Sequence, residues 1–208
     1  MSWSQVVATP EQARAALAEP GDALDLRAPD DGDPAWVALG FTVLAPGELV
    51  RPVEVALADL AATQALGARL AVVLRAGDLV VLSGPLGAGK TSLTQGVGRA
   101  LGVRGAVTSP TFVLARRHTG PLALVHVDLY RLRGAGRQVV DLDDLDLDDE
   151  LPHVVTVVEW GEGLVEDLSP DRLHVELAHA AWGELTPGLV SDRRTARVRA
   201  VGQRWSVL

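Results

Sequence analysis

The chain contains no cysteine, which removes disulfides, thiolate metal sites and cysteine nucleophiles from consideration. It contains no asparagine either, and its 208 residues hold one lysine, Lys90, among 19 basic residues. A chain that otherwise uses arginine everywhere keeps a compact ammonium at this one position, where a planar guanidinium fork would not substitute for it. Aromatic residues are scarce at 4%. No apolar run reaches the roughly 18–20 residues that span a bilayer, and the N-terminus lacks the basic flank and apolar stretch of a signal peptide, so a cytoplasmic protein without membrane contact is expected. The net charge of -8 would repel a polyanion at long range, so any anion must be held locally.

What is present is the composition of a folded protein, 48% hydrophobic and 22% charged. Residues 1–52 read as an N-terminal extension of unknown role, partly linker-like. A short helix is expected at Pro10–Ala18 with Thr9 as its cap, then breakers at Pro20, Gly21 and Ala28–Pro34, then one strand over Trp36–Leu44. Residues 53–208 read as the main domain. An amphipathic helix runs from its cap Asp59 to Gly77, followed by a strand at Asp78–Ser83, a glycine-rich loop, and a helix from Lys90 to Leu101. Short apolar runs at Leu122–Val127, Val154–Val158 and Leu173–Leu177 have the pattern of buried parallel strands, and Arg194–Val201 is expected as a final edge strand. The pattern predicts an α/β fold with a mainly parallel sheet flanked by helices.

Gly84-Pro85-Leu86-Gly87-Ala88-Gly89-Lys90-Thr91 matches the phosphate-binding loop pattern and sits between a strand and a helix, the context that pattern requires. Glycines let backbone N–H groups turn inward around phosphate oxygens, and the helix points the positive end of its dipole at the same place. Lys90 then reaches the β- and γ-phosphates, and Thr91 offers its hydroxyl to magnesium. Ser92 follows as a further nucleotide-binding residue.

Ligands of such sheets sit at the carboxyl ends of the strands, so acids that terminate apolar runs are candidates for the metal. Asp128 ends one run and Glu159 another, and either could hold magnesium directly or through water. His126 lies inside a buried run and is as readily a core residue as a catalytic one. The run Asp141–Glu150 reads as an amphipathic element with a solvated acidic face. Arg193, Arg194, Arg197 and Arg199 could contact a phosphate backbone or guard a sheet edge.

Ser83–Thr91, Thr108-Ser109-Pro110-Thr111-Phe112, His126-Val127-Asp128-Leu129-Tyr130-Arg131 and Val158-Glu159-Trp160, in that order, resemble the motif series of the TsaE (YjeE) family of bacterial P-loop ATPases. The resemblance covers roughly residues 55–205. It implies an ATP- and magnesium-dependent ATPase that acts with TsaB and TsaD homologues to form threonylcarbamoyladenosine beside the anticodon, touching tRNA only through that complex. Carried over, Lys90, Asp128 and Glu159 would be catalytic, Thr91, Asp128 and Glu159 would hold the metal, Thr108, Ser109 and Thr111 would form a segment responsive to the γ-phosphate, and Trp160 would lie near the nucleotide. Hydrolysis is expected to be slow and stimulated by partners. The alternative is a small-molecule or nucleoside kinase with Arg116, Arg117, Arg131 or Arg133 as lid charges. A GTP-dependent switch is disfavoured, because the guanine-reading Asn-Lys-x-Asp motif cannot occur without asparagine.

Overall fold

Leu79–Ser83 is a strand whose first four residues are completely buried, and the reason is its place in the sheet. It pairs in parallel with Val155–Glu159 on one side and with Arg172–His179 on the other. A computed structural model describes residues 4–6, 25–29, 42–45, 48–110, 113–133, 147–179 and 193–205. In chain order the strands are β1 (Ser4–Val6), β2 (Asp25–Pro29), β3 (Thr42–Ala45), β4 (Glu48–Leu57), β5 (Leu79–Ser83), β6 (Ala115–His118), β7 (Leu124–Asp128), β8 (Val155–Glu159), β9 (Arg172–His179) and β10 (Arg194–Val201). The helices are α1 (Leu60–Ala71), α2 (Lys90–Ala100) and the short α3 (Leu147–Glu150).

The sheet runs β1-β2-β4-β10-β9-β5-β8-β7-β6, with β3 also on β4. Its central part, β9-β5-β8-β7, is parallel, as the buried apolar runs predict. β6 on one flank and β10 and β4 on the other are antiparallel. Two strand expectations need correction. Arg194–Val201 is no edge strand, since β10 lies between β4 and β9. Its arginines therefore do not guard an edge: Arg197 stands opposite Glu54 of β4 and Glu176 of β9 and pairs with both. Leu173–Leu177 is not buried throughout either. β9 alternates, with Leu173, Val175 and Leu177 inward and Glu176 exposed, a period of two that marks burial on one face.

α1 and α2 cover one face. Leu66 and Leu70 of α1 and Leu93 and Val97 of α2 pack on Val80, Leu82, Val155, Val157 and Val175. Leu79, Val81, Val125, Val127 and Val158 face the other way, against Leu129, Leu147 and Val165. Asp59 caps α1 as expected, its Oδ1 accepting from the Ala62 N–H at 2.8 Å, but the helix ends at Ala71 with Val72 as its cap rather than running to Gly77. Crossing of the two helices depends on a pair of glycines. A Cβ on Gly67 would lie 2.2 Å from the Leu93 carbonyl oxygen, and one on Gly96 would lie 2.0 Å from that of Gln64. The backbones touch where a side chain would hold them apart.

β4 runs across the boundary expected at 52/53, and its first half carries β2 and β3. Asp25–Pro29, overlapping the segment read as a breaker at Ala28 and Pro29, is thus a strand. Thr42–Ala45 forms the end of the strand expected from Trp36, and residues 36–41, like the helix expected at Pro10–Ala18, lie outside the described residues. At the other terminus Arg204, nearly buried, donates to Asp78 through Nε (3.2 Å) and Nη2 (3.2 Å) and to the Val73 carbonyl (2.8 Å), tying the chain end to the turn before β5.

Gly96→Ala is expected to destabilise the fold by about 3 kcal/mol, the upper part of the usual overpacking range, because the obstacle is backbone. At roughly 2–4 °C per kcal/mol for a domain of this size, a thermal melt should fall by about 6–12 °C. A second expectation concerns acid. On β9, Arg172 Nε donates to His174 Nε2 at 2.9 Å, so the ring is neutral on that side. Burial, with Arg199 and Arg172 beside it, pushes the imidazole from 6.5 down to about 4. Between those two values the unfolded chain binds a proton that the folded chain refuses, so stability falls as pH drops through that window. Melts at pH 7 and pH 5 should show this loss, and His174→Gln, which keeps an acceptor for Arg172 without titrating, should reduce it.

Candidate functional site

The carboxyl ends of β5, β7 and β8 open into a cavity of about 410 Å³ lined by Leu86, Gly87, Gly89, Lys90, Thr91 and Ser92 of the loop and α2, together with Ser109, Asp128, Tyr130, Glu159 and Trp160. Cavities of this size commonly hold small ligands. Parallel pairing of β7 and β8 sets Asp128 directly opposite Glu159, which brings the two strand-end acids together. Both are nearly buried.

The loop between β5 and α2 begins at Gly84, whose φ of +125° only glycine adopts easily, and a Cβ there would lie 2.0 Å from the Leu177 carbonyl oxygen of β9. The loop therefore rests on the sheet backbone. α2 starts from Gly89 without a side-chain cap, so no side chain of its own occupies the first-turn N–H groups beside the cavity. Lys90 folds back over the loop: its Nζ donates to the carbonyls of Gly84 (2.8 Å) and Pro85 (2.9 Å), and it sits 3.8 Å from the centre of the Trp160 ring. Only 4% of the residue is exposed. Burial pulls the ammonium below its ordinary pKa, and Glu159 and Asp128 partly oppose that shift.

The acids are already held. Thr91 Oγ1 donates to Glu159 Oε1 at 2.8 Å, an orientation that leaves the hydroxyl oxygen's lone pairs for a cation. Asp128 Oδ2 accepts from Ser109 Oγ at 2.6 Å, and its Oδ1 accepts from the Tyr130 N–H at 3.0 Å. Thr91, Asp128 and Glu159 form an all-oxygen donor set with two carboxylates. Among the described residues no group of three or more His, Cys, Asp or Glu could cage an ion. That combination suits magnesium, which takes one or two carboxylates and fills its remaining positions with water and phosphate oxygens.

Of the residues expected from sequence, Leu86, Gly87, Gly89, Lys90, Thr91, Ser92, Ser109, Asp128, Glu159 and Trp160 share this cavity. Gly84 and Pro85 contribute the carbonyls under Lys90, and Ala88 is buried beneath the loop. Thr108 stands outside the lining, its hydroxyl accepting from Arg116 Nη1 at 2.6 Å. Thr111 lies outside the described residues, as does Asp141–Asp146 of the acidic run; Leu147 of that run is buried in the core and Glu150 pairs with Arg117 at 2.8 Å. Arg116 is engaged by Thr108 and Arg117 by Glu150, both at exposed positions.

Three neighbours were not foreseen. Tyr130 packs against Trp160 with ring centres 5.1 Å apart and planes tilted by 52°; the turn Asp128-Leu129-Tyr130, in which a carboxylate accepts an N–H two residues on, was its available signal. Arg194 of β10 lies behind the loop, its Cδ and Nε 3.6 Å from where a Cβ on Gly89 would sit. His126 touches Glu159, and its position two residues before Asp128 on the same strand face was the clue.

Fold and cavity together define a P-loop NTPase-like architecture. Comparison with known proteins narrows this. The family model "Threonylcarbamoyl adenosine biosynthesis protein TsaE" matches residues 57–184. A Streptomyces coelicolor protein named tRNA threonylcarbamoyladenosine biosynthesis protein TsaE is 55% identical over 146 residues, covering 68% of this chain and 92% of that protein. Its Bacillus subtilis namesake is 33% identical over 148 residues, 70% of this chain and 84% of that one. The crystal structure of Bacillus subtilis YdiB superposes with a TM-score of 0.58 at 28% identity, covering 76% of this chain and 90% of that one. The chain belongs to the TsaE family, a family named for threonylcarbamoyladenosine biosynthesis on tRNA.

Proposed function

We propose that the chain binds ATP with magnesium in the Gly84–Ser92 cradle and hydrolyses it slowly, in the service of threonylcarbamoyladenosine formation beside the tRNA anticodon, acting in the cytoplasm through TsaB and TsaD homologues. The observation that carries this reading is the convergence of Lys90, Thr91, Asp128 and Glu159 on one cavity at the ends of parallel strands. The family's name supports the tRNA product. Among the described residues no helix is long and apolar enough to cross a membrane.

In this reading the loop amides and the first turn of α2 receive the phosphates, and Lys90 exchanges its two carbonyl partners for phosphate oxygens. Thr91, Asp128 and Glu159 would hold magnesium, which when bound neutralises phosphate charge and orients the oxygens around the γ-phosphorus. Water then attacks that phosphorus, the bond to the ADP oxygen breaks, and ADP and phosphate leave. The Trp160 ring, now against the Lys90 ammonium, gives an apolar wall beside the phosphates. Ser109 connects chemistry to signalling. Its hydroxyl is on Asp128, and the adjoining Thr108 is held by Arg116 of β6, so a change in what Asp128 binds reaches Thr108, Ser109 and the sheet flank. Partners would read nucleotide state there.

Phosphate release from ATP should be detectable without an acceptor and should rise on adding TsaB and TsaD homologues. A phosphorylated small molecule formed in place of free phosphate would instead establish the kinase alternative. Lys90→Ala is expected to weaken ATP binding at least about 100-fold, the equivalent of roughly 3 kcal/mol, in isothermal titration; unchanged affinity would overturn the site. Asp128→Ala should retain ATP binding in EDTA while magnesium-dependent turnover falls about 100-fold, read as phosphate release across a magnesium titration.

A further inference from the structure

His126 has no exposed surface and sits in β7 on the same face as Leu124 and Asp128, toward α2. Its Nε2 is 2.8 Å from Glu159 Oε1. A carboxylate only accepts, so Nε2 carries the hydrogen and donates. Thr91 Oγ1 donates to that same oxygen at 2.8 Å. Two donors thus fill Oε1 from opposite elements, β7 and α2. This fixes the carboxylate plane and leaves Oε2 as the oxygen with acceptor capacity toward the cavity that Glu159 lines.

The other ring nitrogen tells what the imidazole is for. Nδ1 is buried and has no hydrogen-bond partner. A buried polar atom left unpaired is expensive, and the surrounding run Leu124-Val125-His126-Val127 is otherwise apolar, so a leucine or valine at 126 would fill the site without that penalty. The compensating interaction is the bond to Glu159. A residue that merely packs the core would not require it.

From this arrangement we propose that His126 is a positioning residue for the ATPase reaction: by holding Glu159 Oε1 it presents Oε2 toward the metal or its bound water. The assignment rests on the nucleotide reading above. Groups that orient metal ligands in this way typically change metal affinity or activity by about 10–100-fold when lost.

The test compares three variants with the wild-type chain. His126→Leu fills the volume without an N–H. His126→Gln places an amide nitrogen as many bonds from Cβ as Nε2. His126→Asn places one where Nδ1 stands, too short to reach Glu159. Readouts are kcat and KM for ATP, Mn²⁺ affinity of the ADP complex by electron paramagnetic resonance, ADP affinity in EDTA, and a thermal melt. In the Leu and Asn variants kcat should fall about 10-fold or more and Mn²⁺ affinity should weaken by a similar factor. KM for ATP and ADP affinity in EDTA should stay near wild type, and Gln should recover most of both losses. Should Leu fail to fold, the Gln and Asn pair decides alone: Gln active with Asn impaired supports the role, and equal behaviour overturns it. Wild-type kcat and Mn²⁺ affinity in His126→Leu, or a Gln variant no better than Leu, also overturns it. A wild-type chain that binds neither ADP nor Mn²⁺ overturns the nucleotide reading itself, and this proposal with it.

Discussion

An ammonium group almost wholly removed from water, and shared between two loop carbonyls and an indole face, sets the terms for everything around it. Burial alone would favour neutral Lys90, and the carboxylates of Glu159 and Asp128 across the cavity push the other way. The acids in turn are kept in place by short bonds from Thr91, Ser109 and the Tyr130 backbone. Cation and anions face each other across a space the size of a small ligand. The parallel register of β5, β8 and β7 is what holds that separation, since it fixes where each strand ends.

Much of this was legible in the sequence, for reasons of spacing. The glycine pattern between an apolar run and a helix gave the loop, and acids closing two apolar runs gave Asp128 and Glu159, because burial of a central parallel strand writes itself as a continuous hydrophobic stretch. The motif order supplied Ser109 and Trp160. What was hidden depends on pairing across the sheet. Nothing in Arg194–Val201 says that Glu54 will stand opposite Arg197, so an interior strand looked like an edge. The half-buried alternation of β9, by contrast, stands in the sequence itself, where His174 and Glu176 separate Leu173, Val175 and Leu177. His126 looked like core because a strand pattern reports burial but not the atom that a ring nitrogen meets. The close approaches of Gly67 to Leu93 and of Gly96 to Gln64, made by two helices passing backbone to backbone, leave no periodic trace at all.

The sheet divides its labour. Its parallel centre, covered on both faces, carries the cavity. The antiparallel side, β9-β10-β4, is packed against α1 with Ala196 and Val198 while its opposite face carries Glu54, Glu176 and Arg197. Charges paired directly across strands on that face contribute little to stability where they are exposed. They do fix register, because a slip of one residue would send the arginines into the helical face. β10 also brings Arg194 up behind the phosphate loop, so the two halves meet at Gly89.

The floor of the loop is bare backbone against bare backbone, Gly84 over the Leu177 carbonyl, with no compliant side chain between. Such a joint has no shock absorber. Strand β9 cannot slide or tilt without the phosphate loop following it, and β9 is hydrogen-bonded along its whole length to β10. Torque applied through β10 would therefore be felt at the cradle as a rigid lever is felt at its fulcrum.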